Sequence, residues 1–262
     1  MPDGSDIAWL GLQRSGDGRW SFVVTEPLTR FDGKLYGGTG AAVATAVMEA
    51  ETGRNALWTT VQFAASADRG DRVDCHVEVV AHGSRASQVR TTGTVDGHLM
   101  FSALGSSAED RGDGLEAQLC AFPAHVPPPE QCAPWAPKVD FPLPAGRPGW
   151  LGISEMLEAP NGDDLRPMMW TRMDGPALSR PAVAFLADIV PSAVVRATGR
   201  IGGGQSLDNS VRFGPQPTGE WLLMDFEPYL TSGGYAHGAA RVWTREGTLV
   251  AVASQTSACR VF

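Results

Sequence analysis

A single carboxylate interrupts a long apolar stretch in the second half of the chain, and its type and place suit general-base chemistry. Asp188 is flanked by Ala184-Phe-Leu-Ala187 and by Ile189-Val190. A buried carboxylate must be paired, hydrogen-bonded or next to a cavity, because an unsatisfied charge is costly away from water. Pro191 has no N–H to donate to the carbonyl of Ala187, which predicts a kink beside Asp188. Asp188 is therefore a candidate general base, although a purely structural carboxylate would show the same pattern.

Two more polar residues follow Asp188 in segments whose patterns predict strands. Ser206 comes shortly after the glycines at 202–204, which do not form a phosphate-binding loop because no Lys-Ser or Lys-Thr follows them. Gln255 lies inside the apolar strand pattern 249–256, where an amide is either a satisfied core group or part of a site. The five histidines are dispersed and offer no Ser-His-Asp order, so a serine-hydrolase triad is disfavoured.

Composition narrows the functional class. The chain of 262 residues has a formal net charge of −8, which argues against nucleic acid as a partner because phosphate binding needs a basic surface. No apolar run approaches the roughly 20 residues that span a bilayer, so we expect no membrane span and a cytoplasmic protein. The four cysteines are scattered without CxxC spacing and predict neither a metal site nor a disulfide framework. We expect no cofactor and no metal.

The two halves of the chain resemble each other at a constant offset of 150 residues. Thr60-Val-Gln-Phe63 aligns with Ser210-Val-Arg-Phe213, and, without a gap, Thr94-Val-Asp-Gly-His-Leu99 aligns with Thr244-Arg-Glu-Gly-Thr-Leu249. A register held over about 50 residues, with turn glycines and apolar positions in agreement, indicates a duplicated unit.

Each unit predicts one long helix followed by a run of strands. The first helix is predicted at 40–52, with Thr39 as N-cap and Gly53 as stop, and the second at 180–198, with Ser179 as N-cap and Gly199 as stop. The strands of the first unit are predicted at 58–64, 72–81, 86–95 and 99–106, with counterparts 150 residues later. The pairs Asp96-Gly97 and Glu246-Gly247 suit two-residue hairpins.

Both predicted helices are apolar almost all round, since 41–48 contains no charge and 182–195 contains only Asp188. A helix on an open sheet surface would show a polar stripe, so we expect these helices to be enclosed. One helix wrapped by one antiparallel sheet, twice over, is an α+β double hotdog. The expected organisation is an N-terminal hotdog at 1–119, a linker with nine prolines at 120–150, and a C-terminal hotdog with the catalytic residues at 151–262.

The second half resembles the acyl-CoA thioesterase II family, whose members have a double hotdog fold. The resemblance rests on Leu186-Ala-Asp188 with Pro191, on Ser206-Leu-Asp-Asn-Ser210 and on Gln255. In the first half, Tyr36-Gly37-Gly38 resembles the family's aromatic-Gly-Gly. The family has a threonine where this chain has Ser206, and the segment before Ser206 is shorter than is usual there.

The resemblance implies an acyl-CoA thioesterase whose catalytic residues are Asp188, Ser206 and Gln255. Asp188 would accept a proton from a water that it holds together with Ser206 and Gln255, and this water would attack the thioester carbonyl without an acyl-enzyme. The backbone N–H groups at Gly37 and Gly38, or Gln255 itself, are candidates to stabilise the developing oxyanion.

The substrate implied by the resemblance is an acyl-CoA, and three residues are expected to contact it. These are Gly37, Gly38 and Phe185, although an aromatic residue such as Phe185 equally fits a core position. Double hotdogs commonly bury further sheet surface by self-association, so we expect a homo-oligomer, either a dimer or a higher form.

Two other functions are compatible with the sequence. An acyl-CoA hydratase or dehydratase usually pairs its carboxylate with a histidine a few residues along the same helix, and this chain has Ser192 and Ala193 there. A non-catalytic acyl-CoA-binding protein would fit a degenerate first half and the serine at position 206. A pure binder, however, has no need of a lone carboxylate such as Asp188 on an apolar helix, which favours catalysis.

Overall fold

The computed structural model describes residues 4–112, 114–135, 146–200 and 202–261. The helices are α1 (Gly4–Trp9), α2 (Gly37–Thr52), α3 (Arg180–Leu186) and α4 (Val190–Ala197), with 3₁₀ turns at Glu26–Leu28, Pro129–Gln131, Gly149–Ile153 and Ala187–Ile189. The strands are β1 (Gln13–Gly16), β2 (Arg19–Val23), β3 (Asn55–Phe63), β4 (Arg72–His82), β5 (Ala86–Val95), β6 (His98–Ala108), β7 (Ala133–Pro134), β8 (Ser154–Glu158), β9 (Met168–Met173), β10 (Gly202–Ser206), β11 (Asp208–Phe213), β12 (Leu222–Ser232), β13 (Tyr235–Thr244) and β14 (Leu249–Val261).

The strands form one antiparallel sheet that runs through both halves of the chain. Its order is β1-β2-β4-β5-β6-β3-β11-β14-β13-β12-β9-β8-β7, and β10 also pairs with β14. Strands β3 and β11 join the two halves at the middle of this order. Alternating burial along β4 and β5 shows that one face of the sheet is turned towards the core, as a period of two requires.

Each half of the sheet wraps around its own helix. Helix α2 packs against β3, β4, β5 and β6, whereas α4 packs against β10, β12, β13 and β14. The two helical regions also contact each other through α2 and α3, and their apolar side chains share one hydrophobic core. This arrangement confirms the predicted α+β double hotdog and the enclosure of both apolar helices.

The strand pairing repeats the 150-residue offset that the sequence shows. Thr60 pairs with Leu104 between β3 and β6, and Ser210 pairs with Ser254 between β11 and β14. Equivalent residues also meet where the halves join, because Thr60 pairs with Ser210 and their hydroxyl oxygens are 2.8 Å apart. The duplicated unit is therefore present in the hydrogen-bond register as well as in the sequence.

Three of the four predicted helix ends are confirmed. The Ser179 hydroxyl accepts a hydrogen bond from the backbone N–H of Ala182 at 3.0 Å, and Gly53 and Gly199 have left-handed backbone angles. The prediction that Thr39 caps α2 is wrong, because the helix begins at Gly37 after Tyr36. The Thr39 hydroxyl instead donates to the carbonyl of Leu28 at 2.9 Å, a partner outside the helix.

The two predicted hairpin turns differ. The turn at Asp96-Gly97 is confirmed as a two-residue connection between β5 and β6, and both residues have positive φ as that turn requires. The prediction at Glu246-Gly247 is wrong, because four residues, 245–248, separate β13 from β14. Gly247 has positive φ but Glu246 does not, so the chain makes a wider turn that the Gly247 N–H closes on the carbonyl of Thr244 at 3.0 Å.

The proline-rich segment 120–150 contains short elements. The 3₁₀ turn Pro129–Gln131 leads into β7, which pairs with β8 of the second half. Residues 136–145 of the predicted linker lie outside the described residues. No helix in the described parts of the chain is long and apolar enough to cross a membrane.

Candidate active site

A break in the second helical region positions Asp188. Helix α3 ends at Leu186, a 3₁₀ turn covers Ala187–Ile189, and α4 begins at Val190. Asp188 has φ −77° and ψ 18°, which lie outside the helical range, so the backbone opens at this residue. The break falls where Pro191 lacks an N–H to donate, as the sequence predicts. Asp188 is buried, with 6 % of the residue exposed.

The structure brings the three predicted catalytic side chains together. The Ser206 hydroxyl donates to Oδ1 of Asp188 at 3.2 Å, and its distance to Oδ2 is 3.4 Å. The Gln255 side-chain amide donates both to Oδ1 of Asp188 and to Oγ of Ser206, the latter at 2.8 Å. Ser206 and Gln255, which follow Asp188 in the chain by 18 and 67 positions, thus converge on its carboxylate.

The sheet presents Ser206 and Gln255 from two adjacent strands. Ser206 is the last residue of β10 and pairs with Ser257, while Gln255 lies two residues before Ser257 on β14. The strand is interrupted at Leu207, whose N–H donates to the carbonyl of Thr256, and β11 then starts at Asp208. An interruption of this kind changes the direction of the strand, as β-bulges do near functional sites.

Asn209 is a fourth residue at this carboxylate, and the sequence reasoning did not single it out. Its Nδ2 donates to Oδ1 of Asp188 at 3.1 Å, and the residue is 1 % exposed. The backbone N–H of Gly38 adds a further hydrogen bond to the Asp188 carboxylate. An asparagine inside a strand pattern carries little signal, because its direction depends on the interruption at Leu207.

The glycines at the start of α2 allow the close approach of the helix to the carboxylate. A Cβ on Gly37 would lie 2.5 Å from Oδ2 of Asp188, and a Cβ on Gly38 would lie 2.2 Å from the carbonyl oxygen of Phe185. Any side chain at either position would therefore displace its neighbour. The predicted site residues Gly37 and Gly38 meet Asp188 directly, and Gly37 also lines the adjoining cavity.

Burial raises the pKa of Asp188 from its ordinary value of 3.8 to about 7, against the opposing effect of its hydrogen bonds to Asn209, Gln255, Ser206 and Gly38. A carboxylate with a pKa near 7 is half ionised near neutral pH, which is the range in which a general base is most effective.

Tyr36 belongs to the aromatic-Gly-Gly motif noted in the sequence, but it was not predicted as a site residue. Its ring stacks on Trp150 at a centroid distance of 4.7 Å and meets Phe185 edge-on at 5.1 Å. Its hydroxyl is buried and has no hydrogen-bond partner among the described residues. Burial, together with the nearby Asp188 carboxylate, raises the pKa of Tyr36 well above 10, so the phenol remains a proton donor.

An aromatic cavity of about 260 Å³ opens onto these groups. Asp188 and Ser206 line it together with Tyr36, Gly37 and the glycines 202–204. Its apolar wall consists of Phe31, Leu35, Phe63, Met100, Phe101, Trp135, Trp150, Leu151, Met156 and Ile189. The structure places the predicted substrate contact Phe185 behind this wall, fully buried and packed against Tyr36 and Trp150.

A second cavity of about 230 Å³ shares Trp135, Ile189 and Ser192 with the first. The ion pair between Arg196 and Glu158 lines it, but none of the residues that bind Asp188 does. Among the described residues, no group of three His, Cys, Asp or Glu side chains could hold a metal ion.

Comparison with known proteins places these features in a family. Residues 25–108 match the acyl-CoA thioesterase N-terminal domain, and residues 120–259 match the acyl-CoA thioesterase C-terminal domain. A protein classed as a thioesterase from Novosphingobium aromaticivorans DSM 12444 is 29% identical, with a TM-score of 0.81 over 94% of this chain and 97% of that one.

Two further crystal structures share the fold at lower identity. The acyl-CoA thioesterase II TesB2 from Mycobacterium marinum is 21% identical, with a TM-score of 0.78 over 98% of both chains. A hot dog protein of unknown function from Alicyclobacillus acidocaldarius is also 21% identical, with a TM-score of 0.82 over 98% of both chains. No protein of curated function matches the sequence. Because the C-terminal match alone spans more than half of its residues, this chain belongs to the acyl-CoA thioesterase family.

Proposed function

We propose that this protein hydrolyses the thioester of a fatty or related acyl-CoA by direct attack of water, giving a free acid and CoA. The observation that carries the proposal is the convergence of Ser206 and Gln255 on the buried Asp188 at the edge of an aromatic cavity. A carboxylate, a hydroxyl and an amide in mutual contact can orient one water and accept its proton.

In the proposed reaction, Asp188 takes a proton from water as the water oxygen bonds to the thioester carbonyl carbon. The tetrahedral intermediate then collapses, the carbon–sulfur bond breaks, and the CoA sulfur receives the proton from Asp188. General-base assistance of this kind is worth about 10²–10⁴ in rate. Ser206 donates to Asp188 and accepts from Gln255, so its hydroxyl holds the base rather than standing free.

The carbonyl oxygen becomes negatively charged in this step and needs a hydrogen-bond donor. The Gln255 amide already donates to Asp188 and Ser206, and the Gly38 N–H already donates to Asp188. Tyr36 lines the cavity, and its buried hydroxyl has no partner among the described residues. Tyr36 is therefore our candidate donor for the oxyanion.

The aromatic and aliphatic wall of the cavity suits the acyl part of the substrate, since burial of apolar surface is favourable. Among the described residues that line the cavity, Arg30 is the one cation, and it is bound to Asp32 at 2.7 Å. We therefore expect the acyl group, more than the phosphates of CoA, to select the substrate.

A panel of acyl-CoAs of graded chain length tests the proposal, with free CoA and free acid measured together. We expect release of both products in equal amounts, with a clear optimum of kcat/KM along the series. Mass spectrometry of quenched enzyme during turnover should detect no acyl group on Ser206, because water attacks directly. Binding of acyl-CoA without turnover on any substrate would contradict the proposal and would favour a non-catalytic binding protein.

A further inference from the structure

The Asn209 side chain contacts the proposed base but cannot itself exchange protons near neutral pH. It lies on β11 at 1 % exposure, and its Nδ2 is 3.1 Å from Oδ1 of Asp188. An ionised carboxylate only accepts hydrogen bonds, so the amide must present its N–H group to this oxygen. The contact is therefore a charge-assisted hydrogen bond from a neutral donor.

The donors around Asp188 are unequally distributed over its two oxygens. Oδ1 receives the Asn209 and Gln255 amides and the closer Ser206 contact of 3.2 Å. The side-chain contact to Oδ2 is the longer one of 3.4 Å from Ser206. Gly37 packs against Oδ2, since a Cβ there would be only 2.5 Å away, and both Gly37 and Asp188 line the cavity.

The first half has a hydrogen bond at the corresponding place on its strand, but between two hydroxyl groups. Thr59 is the residue 150 positions before Asn209, and its hydroxyl is 3.1 Å from the hydroxyl of Thr45 on α2. Both halves therefore link the central helix to this strand by one buried hydrogen bond. In the second half this hydrogen bond joins an amide, Asn209, to a carboxylate, Asp188, whereas in the first half it joins two neutral hydroxyls. The amide is thus found where the partner on the helix side can be charged.

From this geometry we infer that Asn209 is a positioning residue, which holds Oδ1 of Asp188 and favours the ionised carboxylate, so that Oδ2 takes the proton from water. This inference deepens the proposed function and rests on it. Its amide acts through Asp188 and contacts neither water nor substrate in the reaction as proposed.

The other charged and titratable groups near this site do not replace Asn209. Tyr36 faces Asp188 from the segment before α2 and stays neutral, because burial raises its pKa. Arg30 lines the same cavity and is paired with Asp32. On β11 itself, Asp208 accepts the backbone N–H of Thr256 at 2.9 Å. Of the hydrogen bonds that lower the pKa of Asp188, the bond from Asn209 has the largest effect.

The test is a direct titration of Asp188 by ¹³C NMR of carboxyl-labelled aspartate, with Asp188→Asn used to assign the signal. Asn209→Leu removes the donor at similar volume, and Asn209→Val is a second variant whose branched side chain suits a strand. Thr59→Val is the matched control in the first half. We expect the pKa of Asp188 to rise by roughly 1 in both Asn209 variants and to be unchanged in Thr59→Val.

The pH profile of kcat/KM provides the functional readout of the same variants. We expect its acidic limb to move upwards in step with the NMR titration, while the rate on the alkaline plateau falls less than the rate at pH 6. An unchanged Asp188 titration in folded Asn209 variants would overturn the inference, and so would a titration that moves without the acidic limb. A wild-type protein that titrates as expected but hydrolyses no acyl-CoA would instead overturn the proposed function, because the NMR experiment needs no turnover.

Discussion

The two halves of this protein share one architecture, and among the described residues only the second has the carboxylate, hydroxyl and amide that we propose to be the hydrolytic set. Ser206 pairs with Ser257 on β14, and its counterpart Ala56 pairs with Ser107 on β6 at the same offset of 150. Where the second half has Ser206 and Gln255, the first half has Ala56 and Gly105. The frame is thus duplicated, but the polar side chains are not.

Packing explains why the described residues of the first half form no equivalent site. A Cβ on Gly105 would lie 2.6 Å from the sulfur of Met48 on α2 and 2.9 Å from the backbone carbonyl oxygen of Trp58, so a glutamine there would displace the neighbouring strand as well as the methionine. Helix α2 runs unbroken over Gly37–Thr52, whereas the second helical region is interrupted at Asp188. The continuous helix of the first half thus packs along its length in the core, whereas the break in the second half places a carboxylate beside a cavity.

The first half nevertheless contributes to the site through the start of α2. Gly37 and Gly38 approach Asp188, and Tyr36 lies over the same region with its hydroxyl unpartnered among the described residues. The second half therefore contributes the proposed base, and the first half contributes the start of α2 and the Tyr36 phenol.

Replacing Tyr36 with phenylalanine removes the hydroxyl and keeps the stacking on Trp150. We expect kcat to fall about 100-fold, because loss of one oxyanion donor typically costs 10²–10³. Steady-state CoA release measures this effect. Tyr229→Phe is the matched control, since Tyr229 is 61 % exposed, and an equal loss in that variant would contradict a specific role for Tyr36.

Replacing Ser206 with alanine introduces the residue that the first half has at the equivalent position, Ala56. We expect kcat/KM to fall roughly 10- to 100-fold, because a hydrogen bond to a charged group is lost. Ser206→Thr should stay within a few-fold of the wild type, since it keeps the hydroxyl. Ser210→Ala, which alters the join with Thr60, serves as control. Full activity in Ser206→Ala would contradict a catalytic role for this hydroxyl.

Replacing Asp188 with asparagine should stabilise the protein in alkaline solution. The pKa of Asp188 is raised from 3.8 to about 7 by burial, so the folded protein binds a proton between these pH values that the unfolded chain does not. Stability due to this group is therefore lost as pH rises through that window. We expect the variant's gain in Tm to be on the order of 5 °C larger at pH 8 than at pH 4.

The comparison of Tm between variant and wild type is needed because Glu49 titrates over the same range. Burial raises the pKa of Glu49 to about 7, and this contribution is present in both proteins. A difference in Tm that does not change between pH 4 and pH 8 would contradict the buried, pKa-shifted state of Asp188.

Much of the fold was predictable because its signals are local or repeated. The offset of 150 residues identified the duplication, and the apolar stretches with their capping residue Ser179 located the helices. Thr39 misled because its hydroxyl bonds to Leu28, a partner that only the folded chain brings near. The turn at Glu246-Gly247 misled because sequence does not show which residues adopt positive φ.

The site was predictable only in part, for related reasons. Asp188 was identifiable as a lone charge on an apolar helix, and Ser206 and Gln255 through a family resemblance. Asn209 became visible only in the structure, because its contact with Asp188 joins a strand to a broken helix 21 residues away.

The most direct test compares Asp188→Asn with Thr45→Val on the acyl-CoA that the wild type hydrolyses fastest. Thr45 is the matched position, since its hydroxyl bonds to Thr59 as Asp188 bonds to Asn209. We expect kcat/KM to fall by about 10²–10⁴ for Asp188→Asn and to change by less than a few-fold for Thr45→Val. Comparable activity in Asp188→Asn and the wild type, with both correctly folded, would contradict the claim that this carboxylate is the base.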